Sequence, residues 1–235
     1  MTLTHTTATT TLDLDWANHR WRFLGDRALL HLESQHLFVA DLHLGKAAGF
    51  RAAGIAVPAG TTQSTLARLT QLITTHQPQT LTILGDLLHT RTGVTDELIQ
   101  AYRHWHQQNP LPVNVVAGNH DRSAGGIPTT LNLNPIPAGT EILPGIAALH
   151  DPADPSPHPA LAGHLHPAAS LYGRGRTRIR SACFWLRRTR LILPAFGDFT
   201  GCLNVEPQPD ERLVMISDNG SLFAVDHSKP STDHR

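Results

Sequence analysis

The chain has 235 residues, 40% of them hydrophobic and 16% charged, enough apolar side chains for the core of one large domain. Its 19 basic and 19 acidic residues cancel, so the overall field selects no polyanionic partner. No apolar run approaches the ~20 residues that span a bilayer, and Met1–Thr10 lacks the basic and apolar parts of a secretory leader. The expectation is a soluble, cytoplasmic protein without a membrane partner.

Polar, Thr- or Ser-rich stretches at 1–12 and 227–235 read as flexible tails around a single domain at 13–226. Trp16 and Trp21 are expected in the core. Leu37–Ala40 is a short apolar strand that stops at Asp41. Residues 61–76 place Leu66, Leu69, Leu72 and Ile73 on one helical face, with Thr61 or Thr62 as the N-cap and Pro78 as the stop. Leu81–Leu84 is a second strand running into Gly85-Asp86. Residues 95–108, bounded by Asn109-Pro110, form a second helix, on which Trp105 packs. Val113–Val116 leads into Gly118-Asn119-His120-Asp121. Alternating strands and helices predict parallel βαβ units, and such sheets gather ligands beyond the carboxyl ends of their strands.

After about residue 140 the helical signal stops. Ile146–Leu149 runs into His150 and Leu161–Gly163 into His164. Residues 176–205 read as hairpin material, and Val214–Ile216 and Leu222–Val225 as a hairpin turning at Asp218-Asn219-Gly220. This half is therefore expected to be mostly antiparallel, and two sheets face to face with helices outside close the chain. Phe196 and Phe199 read as packing residues. Cys183 and Cys202 lack metal-type spacing and read as buried free thiols.

The strand ends carry the chemistry. In order they are Asp41-Leu-His43, Gly85-Asp86, Gly118-Asn119-His120-Asp121, His150 and Gly163-His164-Leu-His166. Asp41, His43, Asp86, Asn119, His150, His164 and His166 are oxygen and imidazole donors, a mixture suited to Mn²⁺, Fe²⁺ or Zn²⁺ and too rich in nitrogen for Ca²⁺. Asp-x-His and His-x-His put both side chains on one side of an extended segment. Asp86, alone on its strand end, is the natural bridge between two cations. Glycines before Asp86, Asn119 and His164 are expected to turn the backbone tightly. Each motif alone is common; five in one order, each after an apolar strand, are not.

This series resembles the calcineurin-like metallophosphoesterases over roughly residues 37–200. The resemblance implies an αββα fold, a two-sheet sandwich flanked by helices, and two divalent ions, Mn²⁺ first among the candidates. Asp41, His43 and His166 would hold one ion, Asn119, His150 and His164 the other, with Asp86 between them. His120 would protonate the departing alkoxide, and Asp121 would either orient His120 or cap the turn. His89 departs from the pattern, since many relatives carry an acid there, which bears on substrate contacts.

Further segments, Asp41-Leu-His-Leu-Gly-Lys46, Gly49-Phe-Arg51, His150-Asp-Pro152 and Leu193–Gly201, resemble the ligase-associated DNA-damage-response endonuclease (PdeM-type) branch. That likeness implies a nuclease of DNA repair, acting on single-stranded or nicked DNA, with an ATP-dependent DNA ligase, a helicase and an exonuclease as partners. Lys46, Arg51, His89 and Arg122 are candidate substrate contacts. So are Arg174 and Arg176, the first of seven arginines between 174 and 190, a stretch without an acid. This stretch suits a phosphate backbone, with Tyr172, Phe184 and Trp185 available for stacking, or else guards a sheet edge. Two alternatives stay open: a phosphodiesterase for a small nucleotide-type diester, and a nucleic-acid-binding scaffold of a repair assembly.

Overall fold

The computed structural model describes residues 2–3, 9–58, 60–172, 178–198 and 200–226. In chain order the strands are β1 (Thr2–Leu3), β2 (Thr11–Trp16), β3 (His19–Leu24), β4 (Ala28–His31), β5 (His36–Val39), β6 (Thr80–Leu84), β7 (Val113–Val116), β8 (Asn134–Ile136), β9 (Thr140–Leu143), β10 (Ile146–Ala148), β11 (Ala160–Ala162), β12 (Pro167–Tyr172), β13 (Arg178–Leu186), β14 (Arg190–Ile192), β15 (Leu203–Asn204), β16 (Arg212–Ile216) and β17 (Leu222–Asp226). The helices are α1 (Lys46–Ala52), α2 (Thr61–His76), α3 (Asp96–Gln108) and α4 (Asn119–Ser123).

One sheet runs β2-β3-β4-β5-β6-β7-β8. Its first four strands are an antiparallel meander and β5 to β8 are parallel. Period-two alternation sorts the side chains. Leu37, Val39, Leu81, Ile83, Val113 and Val115 face a cluster shared with Leu69 and Leu72 of α2 and Tyr102 of α3. Phe38, Ala40, Leu84 and Val116 face the other way, into the space between the sheets. There they meet Ile146, Ala148, Leu161, Phe184, Leu191 and Val214 of the second sheet. Phe184 stands edge-on to Phe23, ring centroids 5.0 Å apart. The outward residues of the second sheet, Cys183, Leu213, Met215 and Val225, pack with Ala169 and Val205.

The second sheet runs β1-β17-β16-β13-β14-β11-β10-β9, with β12 pairing β13 and β15. It is mostly antiparallel, as expected, but β10, β11 and β14 are parallel neighbours. Their chain direction sends three strand ends to one edge, where three parallel strands of the first sheet also end.

Other expectations are corrected locally. α2 begins after Gly60, at φ 89°, with no side-chain cap from Thr61 or Thr62. In α3 the Thr95 side chain does cap, accepting from Leu98 N. β1 pairs with β17, Thr9 bridges Leu222, and β2 begins at Thr11, so ordered strand precedes residue 13. Cys183 is buried, but Cys202 is exposed in the irregular run 200–202. Phe199 and residues 227–235 lie outside the described residues. No helix among the described residues is long and apolar enough to cross a membrane.

Candidate metal centre

Each donor follows a strand that ends at the shared edge. Asp41 and His43 lie past β5, Asp86 past β6, Asn119 past β7, His150 past β10, and His164 and His166 past β11. The segments at 41–43 and 164–166 are not extended as expected. Asp41 (φ 54°), His43 (48°), Asp86 (49°), His164 (70°) and His166 (47°) all have left-handed backbone. Backbone bonds hold this conformation: Asp41 N donates to Gly85 O (3.1 Å), His43 N to Asp86 O (2.9 Å) and Gly163 N to His150 O (3.0 Å). Gly85 turns the backbone as expected, at φ 83°, whereas Gly118 and Gly163 serve close approach alone. Gly118 has an ordinary φ of −86°, yet a Cβ there would lie 2.1 Å from Asp86 Oδ1; one on Gly85 would lie 2.0 Å from His150 Nδ1.

Two donor groups result. In the first, His43 Nε2 is 3.3 Å from His166 Nε2, which is 3.6 Å from Asp41 Oδ2. In the second, His150 Nε2 is 3.0 Å from Asn119 Oδ1 and 3.1 Å from His164 Nδ1. Asp86 stands between them, with Oδ2 3.9 Å from His43 Nε2 and Oδ1 3.4 Å from His150 Nε2. Asp41, His43, Asp86 and His150 are buried, while Asn119, His164 and His166 open the centre toward solvent.

The sequence profile of the calcineurin-like phosphoesterase family matches residues 36–181, the stretch that supplies all seven donors. The chain belongs to the calcineurin-like phosphoesterase family. A crystal structure of Pseudomonas putida nuclease MPE is similar to it, with TM-score 0.78 and 33% identity, over 92% of this chain and 100% of that one. Yfce, a phosphoesterase from E. coli, superposes with TM-score 0.40 and 14% identity, over 78% of this chain and 88% of that one. No curated protein sequence matches. The chain is therefore a metal-dependent phosphoesterase with the expected two-sheet sandwich.

The phosphoesterase's own hydrogen bonds fit divalent ions. His150 Nδ1 lies 3.0 Å from Leu84 O and His166 Nδ1 2.8 Å from Gly201 O. A carbonyl only accepts, so Nδ1 donates in both rings, and the neutral ring then presents the Nε2 lone pair to a ligand. His150 Nε2 lies 3.0 Å from Asn119 Oδ1 and 3.4 Å from Asp86 Oδ1, a mixed nitrogen and oxygen set that suits a divalent ion. Burial presses on the His166 imidazolium, but the hydrogen bond and charge of Asp41 outweigh it and raise its pKa above the usual value. Burial, with neighbouring His166 and Lys46, pushes His43 down to about 2, so this donor stays unprotonated.

The flanking residues divide. His120 Nδ1 is 2.9 Å from His89 O, and the two rings stack with centroids 4.7 Å apart. His89 Nδ1 also lies 3.3 Å from His43 Nδ1, so His89 joins the centre. Asp121 accepts from Leu87 N, Leu88 N and Gly118 N at 3.3, 2.8 and 2.9 Å. Burial raises its pKa. Lys46, the first residue of α1, is half-buried with its ammonium 5.7 Å from the Phe50 ring centroid. Arg51 and Arg122 are exposed and reach backbone carbonyls of Pro58 and Ala117.

The arginine stretch is not one free cationic face. Arg187 pairs with Glu211 at 2.7 Å and covers the Trp185 ring, whose Nε1 also donates to Glu211. Arg190 binds the carbonyls of Pro152 and Asp154. Phe184 is fully buried between the sheets and offers no stacking surface. Glu211 is distant in sequence, so a count of local charges could not find it. Arg174 and Arg176 lie outside the described residues, as do the side chains of Tyr172 and Arg178.

Proposed function

We propose that this phosphoesterase is a nuclease that hydrolyses phosphodiester bonds in DNA with two divalent ions, Mn²⁺ by preference and Fe²⁺ or Zn²⁺ as alternatives. Asp41, His43 and His166 would hold one ion, Asn119, His150 and His164 the other, and Asp86 both. The observation that carries the dinuclear reading is the buried Asp86 carboxylate, whose two oxygens face separate donor groups. Likeness to the Pseudomonas putida nuclease over nearly the whole chain supports the substrate class. Action on single-stranded or nicked DNA during repair in the cytoplasm, beside a ligase, helicase and exonuclease, completes the reading.

When bound, paired ions lower the pKa of water and neutralise charge on the phosphate oxygens. The chain's residues do the rest. Asp86 and the imidazoles fix where the phosphate sits. His120 donates from Nδ1 to the His89 carbonyl, which fixes the orientation of its ring. Its Nε2 proton then passes to the departing alkoxide. Asp121 holds the turn that aims His120.

Metal-stripped protein should cleave a 5′-labelled single-stranded oligonucleotide only after Mn²⁺ is added, and Asp86→Ala should lose about 10³-fold or more of that rate. A bis-aryl phosphodiester in the same assay separates the parts of the reading. Hydrolysis of the aryl diester alone would keep the metal centre and reject DNA as substrate.

A further inference from the structure

Beside the metal centre a cavity of about 140 Å³ opens against His166, with Arg27, Asp198 and Thr200 in its wall. Past Arg27, Asp198 and Cys202 it continues into a groove of about 650 Å³ that carries Arg68 and Arg180. The groove ends between the β3–β4 turn and the β16–β17 turn, which approach so closely that a Cβ on Gly25 would strike the carbonyl of Gly220. A liquid water claims about 30 Å³, so the inner cavity accepts a group of phosphodiester size.

The charges in this wall are not equivalent. Asp198 is neutralised by Arg68 at 3.2 Å, and Arg68 also binds the carbonyls of Phe196 and Asp26. The Asp26 and Asp218 side chains are exposed and belong to the outer groove. Arg180 donates to Cys202 O. Among the described residues Arg27 makes a single long bond, 3.4 Å to Ala195 O, which leaves most of its five donors. Among the described residues the inner cavity therefore holds one uncompensated guanidinium beside a candidate metal-binding histidine. Arg27 also sits at φ 64°, a turn conformation that ordinarily selects Gly or Asn. Backbone cost accepted at a cavity wall points to a job for the side chain.

We infer that this cavity is a subsite for a backbone phosphate flanking the scissile one, with Arg27 as its cation, and that the strand leaves the metal centre on the His166 side along the Arg180 groove. This rests on the nuclease reading and adds the direction of the strand. Because an aryl diester has no flanking phosphate, the subsite acts on DNA and not on that substrate.

The test compares Arg27→Gly, Arg27→Lys and a charge-matched control, Arg103→Ala, on the exposed side of α3. Glycine suits the left-handed backbone, so Arg27→Gly should keep the melting temperature while the ratio of DNA to aryl-diester turnover falls about tenfold. Arg27→Lys should recover part of that ratio, and Arg103→Ala should match the unsubstituted protein. Independently, single-stranded DNA binding by metal-free Arg27→Gly should lose about one unit of salt slope. An unchanged ratio and slope in Arg27→Gly overturns the subsite while leaving the nuclease reading intact. Equal losses on both substrates also overturn it, making Arg27 a support for the Ala195 segment. If the unsubstituted protein cleaves no DNA, the nuclease reading fails and the subsite with it.

Discussion

Asp41, His43, Asp86, His164 and His166 adopt φ between 47° and 70°, where an L-side chain crowds its own carbonyl by roughly 1–2 kcal/mol per residue. Five such residues at one site persist because backbone bonds and neighbouring side chains over-determine them. Gly118 is part of that restraint: a Cβ would meet both Asp86 Oδ1 at 2.1 Å and Asp86 N at 2.5 Å. Gly118→Ala should displace the shared carboxylate and cut kcat on an aryl diester about 100-fold at saturating Mn²⁺. Full activity would show that the glycine guards something else. A second residue, remote from the metals, sets acid stability. His36 is buried, stacks on Phe38 and lies 2.7 Å from Thr82 Oγ1. Burial first, then His31, lowers its pKa from 6.5 to about 4. Above pH 6.5 neither state carries the proton. Below it the unfolded chain takes up a proton that the folded chain refuses, so stability falls as pH drops from 6.5 toward 4, by up to about 3 kcal/mol. His36→Gln, which cannot titrate, should show a smaller drop in melting temperature between pH 7.5 and pH 4.5 than the unsubstituted protein. Parallel losses in the two would remove His36 from the acid response.

At the scale of elements, the two long helices were legible because each buries one face. Leu66, Leu69 and Leu72 of α2, and Leu98, Tyr102 and Trp105 of α3, are the buried residues. Their caps differ. α3 starts on Thr95, whose side chain accepts from Leu98 N at 3.3 Å, and Thr95→Ala should cost about 1 kcal/mol, read as a lower urea midpoint with an unchanged slope. No loss would mean that the first turn is held by the tertiary contacts of Leu98 alone. α2 starts on a left-handed glycine, so neither threonine beside it caps, and propensity alone misplaced that role. The second half is mostly antiparallel, as its patterning suggests, and only its short parallel strands escaped the sequence. Ala160–Ala162 and Arg190–Ile192 are three residues each, too short for composition to distinguish parallel from antiparallel pairing.

At the scale of the whole molecule, the metal centre is a joint between two sheets. Asp41, His43, Asp86 and Asn119 come from the first, and His150, His164 and His166 from the second. Ions bound there hold the sheets together only in the folded state. Adding Mn²⁺ at 100 times its dissociation constant should stabilise by about 2.7 kcal/mol, which for a chain of this size is a rise of roughly 5–11 °C in melting temperature. Chelation should reverse it. An unshifted melting curve would mean that the donors do not close on an ion across the sheet interface.

The sequence by itself placed Asp41, Asp86, Asn119, His150 and His164 at strand ends, because each follows a local apolar strand that a short window reveals. It also determined the two helices and the core placement of Trp16, Trp21 and Phe196, since burial leaves a periodic trace. Tertiary structure alone decided which groups these residues meet. Glu211 reaches Arg187 from 24 positions away, and the carbonyls of Leu84, His89 and Gly201 orient His150, His120 and His166. Backbone carbonyls are the same at every residue and carry no sequence signal. Arg27 lies in a turn whose composition resembles any other, and only the folding of β3–β4 against the segment after β14 brings it to the edge of the metal centre. Local patterns encode which side chains turn inward; long-range packing sets distances, and distances set the chemistry.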